Sequence, residues 1–327
     1  MTATFRTSAL AALVLACGLT SPVQADGLAE PVIIEELIVP ETGWSRIGYG
    51  RLIVNDLIGD GEDRWRTGSV ASSRLYMRGG ERAWRGQAPA QFGELWELRF
   101  LGQVISPSNL TNPAADDRRQ AGALSLGLHT HVARQEWEIS LGGDLVVIGP
   151  QTNLDDLQDG LHDIFDGPAV SDAARDGQIG NKIRATAVGE VGRNIALSAR
   201  STLRPFAEAR LGDETLLRAG FDLMVGQTGT DELWLRDPVT GHRYRGMYEN
   251  RGLGFVVGGD VAYVDSSVYL PDGGSVELEP SRARLRAGVH WQGESDAVFF
   301  GLTYLSEEFK GQDEGQLVGA IRWKWAF

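Results

Sequence analysis

Ser281-Arg282-Ala283-Arg284-Leu285-Arg286-Ala287-Gly288-Val289-His290-Trp291 is the stretch that decides the fold. Ala283, Leu285, Ala287, Val289 and Trp291 share one face of an extended chain, and Arg282, Arg284, Arg286 and His290 share the other. A period of two is the strand period, because successive side chains point to opposite faces. A soluble β-sandwich also alternates. Repeated arginine in mid-strand fits better with a wall that has lipid on one side and a wet, ion-paired lumen on the other.

Working outward, the same pattern recurs. Trp96, Leu98 and Phe100 oppose Glu97, Arg99 and Gln103. Leu124, Leu126, Leu128 and Val132 alternate with Ser125, His129 and His131, while Trp137, Ile139, Leu141, Leu145 and Val147 alternate with Glu136, Glu138, Ser140 and Asp144. About twelve such strands can be placed, an even number as these barrels require. They begin near Trp44, Arg66, Glu94, Ala121, Arg134, Asn181, Ile195, Thr215, Arg251, Pro280, Asp296 and Gly315. Segments 79–93, 106–120, 149–180, 227–250 and 264–279 read as long loops on one side, with tight turns such as Gly212-Asp213-Glu214 on the other. The last strand carries Leu317, Ile321, Trp323, Trp325 and Phe327 on one face. Aromatics clustered there suit an interface girdle, and the terminal aromatic resembles the signal that outer-membrane proteins present to the barrel assembly machinery. The expectation is an all-β, antiparallel transmembrane barrel of about twelve strands over residues 44–327.

The first residues are not part of that barrel. Arg6 followed by the short apolar run Ser8 to Leu19 and by Val23-Gln24-Ala25 reads as a secretory signal peptide spanning 1–25. Leu15-Ala16-Cys17 loosely resembles a lipoprotein signal, but Leu15 fits that pattern poorly, so cleavage after Ala25 is expected. Residues 26–43 form an acidic, proline-punctuated lead-in. The chain has one cysteine, Cys17, so the exported protein would hold no disulfide. A formal charge of −13 argues against nucleic acid as a partner and is compatible with divalent cations. A monomer is the expected state.

One connection differs from the rest. Within Gly149 to Gly167, Leu154, Leu157, Leu161, Ile164 and Phe165 recur at helical spacing, after Pro150 and with Thr152 or Asn153 suited to a helix start. Gln158 and His162, four apart, share a face, with Asp155 and Asp166 near the same line. By periodicity alone this is an amphipathic surface helix with a solvated histidine. No Gly-x-Ser-x-Gly elbow or His-Glu-x-x-His pair occurs, and His129 and His131 read as lumen residues.

Three patches change that reading. They are Asn55-Asp56 with the segment Asp63 to Gly68, then Ser106-Pro107-Ser108, then Gly149-Pro150 with Gln158 and His162, continuing into Gln178-Ile179 and Asn181. In this order they resemble the outer-membrane lipid A 3′-O-deacylase family. The resemblance implies a twelve-stranded barrel with a calcium-dependent esterase site near the outer leaflet, acting on lipid A of lipopolysaccharide. It also implies that His162 is a general base activating water, that Gln158 orients substrate or water, and that Thr67 lines the pocket. Asn55 and Asp56 would hold calcium and shape the oxyanion site.

The chain departs from the family in two places. The family's lysine after the Ser-Pro-Ser segment falls at about Asn112, leaving Arg118 or Arg119 to meet a lipid phosphate. The family's glutamate after the histidine has Asp163, Asp166 or Asp172 in its place, of which Asp166 is one turn beyond His162 and is taken as the second metal ligand. An outer-membrane phospholipase, or a non-enzymatic barrel or pore related to the deacylases, are the alternatives.

Overall fold

The computed structural model describes residues 43–165, 167–226, 232–247, 251–294 and 296–324. Fifteen strands are present among them: β1 (Trp44–Asn55), β2 (Trp65–Arg78), β3 (Leu95–Ser106), β4 (Ala121–Arg134), β5 (Trp137–Ile148), β6 (Lys182–Arg193), β7 (Ile195–Ser198), β8 (Ser201–Leu211), β9 (Glu214–Gly226), β10 (Leu233–Arg236), β11 (Arg243–Met247), β12 (Gly252–Ser267), β13 (Ser281–Gln292), β14 (Ala297–Leu305) and β15 (Gln316–Lys324). Two helices, α1 (Leu154–Phe165) and α2 (Asp172–Asp176), lie between β5 and β6.

Each wall strand pairs antiparallel with its neighbours in the order β6-β5-β4-β3-β2-β1-β15-β14-β13-β12-β9-β8, and a β6–β8 pairing closes the ring. Twelve strands therefore form the barrel, while β7 is a short extension beside β8. The seventh wall strand begins at Ser201, and Ile195 starts only that extension. Closure leaves no free sheet edge, as a spanning sheet in lipid requires.

Burial runs opposite to that of a soluble strand. On β13 the side chains of Arg282, Arg284, Arg286 and His290 are buried, while Leu285, Val289 and Trp291 are exposed. Inside, the charges are paired: Arg284 Nε lies 2.9 Å from Asp260 Oδ1, and Arg236 Nη2 lies 2.9 Å from Asp222 Oδ2. His129 Nε2 sits 3.0 Å from Asp144 and His131 Nε2 sits 2.8 Å from Glu97, which makes both histidines partners in this lumen network. No helix of the described residues is long and apolar enough to cross a membrane; the strands cross instead.

Two connections differ from the sequence reading. Because consecutive strands alternate direction, segment 79–94, the end of β9 and the start of β12 lie at the end of the barrel that carries the start of β1, while 107–120, the helices between β5 and β6, and 268–280 lie at the opposite end. Long connections thus occur at both ends, and the tight turn at Gly212-Asp213 shares an end with the helices. Part of segment 227–251 is also not a loop. Strands β10 and β11 form a hairpin whose residues are almost all buried. It lies inside the barrel: Arg236 Nε donates to Glu190 on β6 at 2.6 Å, Arg243 Nη2 to Glu138 on β5 at 3.0 Å, and Tyr244 Oη is 2.8 Å from Ser73 Oγ on β2. A strand buried on both faces shows no alternation, so its sequence carries no strand period to read.

Candidate active site

The site is built on the outside of the wall. Asn55, Gly68, Val104 and Gly122 form one rung across β1, β2, β3 and β4. They share the parity of the exposed Val70, Phe100 and Leu126, so this rung faces outward. At its height the strands end and the loops begin.

Asn55 ends β1 and caps the short 3₁₀ turn Asp56–Ile58. Its Oδ1 accepts from Leu57 N at 3.0 Å, and its Nδ2 donates to Thr67 O at 3.1 Å. One lone pair and one N–H of the amide therefore hold the turn and tie it to β2. Asp56, one residue on, is buried and accepts from Arg64 N at 2.9 Å. Burial pushes its carboxyl up to about 8, and the nearby Asp63 adds to that. Thr67 meets this turn through its backbone carbonyl, and its Oγ1 is buried with no hydrogen-bond partner.

Helix α1 roofs this rung. It follows a 3₁₀ turn at Pro150–Thr152 and the left-handed Asn153, and it closes over Gly122, where an added Cβ would come within 2.9 Å of Leu154 Cβ. Glycine at that position lets the helix lie on the sheet. Gln158 anchors the middle of the helix: its Oε1 accepts from Gln120 Nε2 at 2.7 Å, and its Nε2 donates to Ser106 Oγ at 3.2 Å. One turn further on, His162 Nδ1 donates to Pro168 O at 2.6 Å, and Nε2 stands 3.0 Å from Asp63 Oδ2. Gly167 leaves room for the ring, since a Cβ there would reach within 2.9 Å of His162 Cγ.

The electrostatics of this pair are specific. A carbonyl only accepts, so Nδ1 carries a proton and Nε2 is the nitrogen left for chemistry. The adjacent Asp63 carboxylate raises His162 above its ordinary value, against the opposing effect of burial. Both oxygens of Asp63 are buried, and the 3.0 Å contact with His162 becomes an ion pair when the imidazole is protonated. Two neighbouring carboxylates, Asp56 buried and Asp63 with buried oxygens facing the imidazole, suit a hard divalent cation. Among the described residues no group of three or more His, Cys, Asp or Glu is arranged to hold a metal ion. Further ligands would be carbonyl, hydroxyl or water oxygens, which such cations accept readily.

The structure thus brings together Asn55, Asp56, Gln158 and His162, and it joins Thr67 to them through its backbone carbonyl. The other three lie on segment 107–120, at the same end of the barrel. Asn112 and Arg119 are exposed in the 107–120 segment, where Asn112 N donates to Asn109 Oδ1 at 2.9 Å. Arg118 is buried and its Nη1 pairs with Glu308, alongside Arg66, in the lumen network. Asp166 lies outside the described residues. Asp63, which the sequence reading did not name as a site residue, stands beside the histidine. The one sequence signal for Asp63 was its position in the patch following Asn55-Asp56.

A closed twelve-stranded barrel, apolar outside and ion-paired inside, with a polar site on its outer wall, is an outer-membrane protein. A family model described as outer membrane protein LpxR matches residues 13–327, and the chain belongs to that family. Among solved structures, LpxR from Salmonella typhimurium is similar in fold, with TM-score 0.69 and 19% identity over 85% of this chain and 100% of that one. The β domain of the Bordetella autotransporter BrkA aligns with TM-score 0.40 and 10% identity over 86% of this chain and 99% of that one. No curated protein matches the chain.

Proposed function

We propose that this protein is a lipid A deacylase that hydrolyses the 3′-linked acyloxyacyl ester in the outer leaflet of the outer membrane, with His162 as general base. The observation that carries the reading is the meeting of His162, Asp63 and Asp56 on the lipid side of the wall, under a helix anchored by Gln158. An ester in the leaflet can reach that position without entering the lumen. The lumen holds the β10–β11 hairpin and its ion pairs, which favours a wall site over a pore.

In the proposed reaction, His162 Nε2 takes a proton from water as the water oxygen attacks the ester carbonyl. The imidazolium then returns that proton to the departing 3′-oxygen of the sugar, releasing the acyloxyacyl acid. Such a base contributes about 10²–10⁴-fold. The bond from Nδ1 to Pro168 O holds the tautomer and the ring plane. Gln158 acts as a positioning residue, because its amide is spent on Gln120 and Ser106. Asn55 likewise shapes the turn that presents Asp56. A calcium ion held by Asp56 and Asp63 would supply positive charge to polarise the ester carbonyl. Engaging Asp63 in this way would also leave Nε2 free to take that proton.

The test is expression in an outer membrane, with lipid A read by mass spectrometry for wild type and His162→Ala, with and without calcium chelation. Loss of the 3′-acyloxyacyl group is expected only for wild type with calcium present. Unaltered lipid A from the wild type with calcium would sink the reading for this substrate.

A further inference from the structure

Helix α1 carries an exposed apolar stripe. Leu157, Leu161 and Ile164 are 56%, 41% and 66% exposed. At 3.6 residues per turn they fall within roughly 60° of one another. Three of the four acids on this helix mark its opposite side: Asp155, Asp156 and Asp159 all pair with Arg175 on α2, at 2.8 Å for Asp155 and 2.9 Å for Asp156. That side belongs to the loop layer, because Ser171 just before α2 bonds Leu110 O at 2.8 Å and Leu110, Val170 and Ala174 form a small core there. A flank between the two sides faces the wall through Gln158. The stripe therefore points away from the loop layer, down along the barrel exterior.

The surface it joins is already lipid-facing. α1 connects β5 to β6, whose outward residues include Leu145 and Ile183, 54% and 58% exposed. We infer that α1 is an interfacial helix, with Leu157, Leu161 and Ile164 seated among the acyl chains of the outer leaflet and its Arg175-bound acids kept in the aqueous loop layer. Amphipathic helices bind membranes in this orientation, with the apolar face sunk to the level where headgroups meet acyl chains. This seating fixes the depth of His162, which the same helix carries. It rests on the outer-membrane location and does not depend on any reaction at the site.

The test uses the full-length chain with Cys17 replaced by serine, which leaves no other cysteine. Leu161→Cys, Ile164→Cys and Asp156→Cys, each labelled with an environment-sensitive fluorophore, are folded into phospholipid vesicles containing lipid A. Circular dichroism checks the barrel, and all three positions are exposed, so each variant should fold. Labels at 161 and 164 should emit to the blue of the label at 156. They should be quenched by acyl-chain nitroxide lipids and be several-fold less sensitive to aqueous iodide. Iodide quenching equal at all three positions would overturn the inference. So would protection at 161 and 164 that grows with protein concentration, which would mean a second copy covers the stripe.

Discussion

Gln158→Leu isolates the role of the helix anchor. Leucine keeps about the same volume but gives up both bonds of the amide, leaving the Gln120 Nε2 and Ser106 Oγ groups without that partner in a buried setting. Each such loss costs about 1–3 kcal/mol. The two share one side chain and do not add fully, so about 2–4 kcal/mol is expected. At about 1.4 kcal/mol per tenfold, the ratio of docked to undocked α1 should fall by roughly 30- to 1000-fold. The wall strands keep their own ladders, so the loss is local rather than global. Hydrogen exchange in micelles should show α1 amides exchanging faster by that factor, with β3 and β4 unchanged. Release of the 3′-acyloxyacyl group should drop as well, because α1 carries His162. Unchanged protection of α1, or equal loss of protection in β3 and β4, would refute the anchor.

In cation-free protein the ring of His162, followed by NMR, should titrate above the ordinary histidine value, and Asp63→Asn should return it toward that value. The sign follows from the pair: its stabilising contribution is complete below the ordinary histidine pKa and disappears as pH rises through the raised one. Calcium should raise the thermal stability of the wild type, by mass action on a folded-state site, and should fail to do so in Asp56→Ala. Calcium-dependent stabilisation that survives Asp56→Ala would remove Asp56 from the cation site. Replacing residues 233–247 by a short Gly-Ser linker should turn a non-conducting barrel into one with steady single-channel conductance, since the hairpin bridges β2, β5 and β6 across the lumen. A closed barrel after that replacement would show that the wall ion pairs alone seal it.

Most of the wall was legible because alternation survives translation into three dimensions. Arg282, Arg284 and Arg286 had to share a face, and an apolar face opposite them had to meet lipid. The hairpin Leu233–Met247 escaped because both of its faces are buried, which erases the period. Arg118 shows a different limit: the sequence places it near a motif, yet its guanidinium turns inward to Glu308, a residue contributed by the distant β14–β15 connection.

The sequence by itself determined the period of two, the outward apolar face, the helix with Gln158 and His162 on one side, and the adjacent Asn55-Asp56 pair. These are local properties, set by spacing along one segment. Only the tertiary structure decided that Asp63 meets His162, that Gln158 is held by Ser106 and Gln120, and that the site lies on the outer wall. Each of those contacts joins segments far apart in the chain, and strand register, closure of the ring and the packing of α1 over Gly122 bring them together.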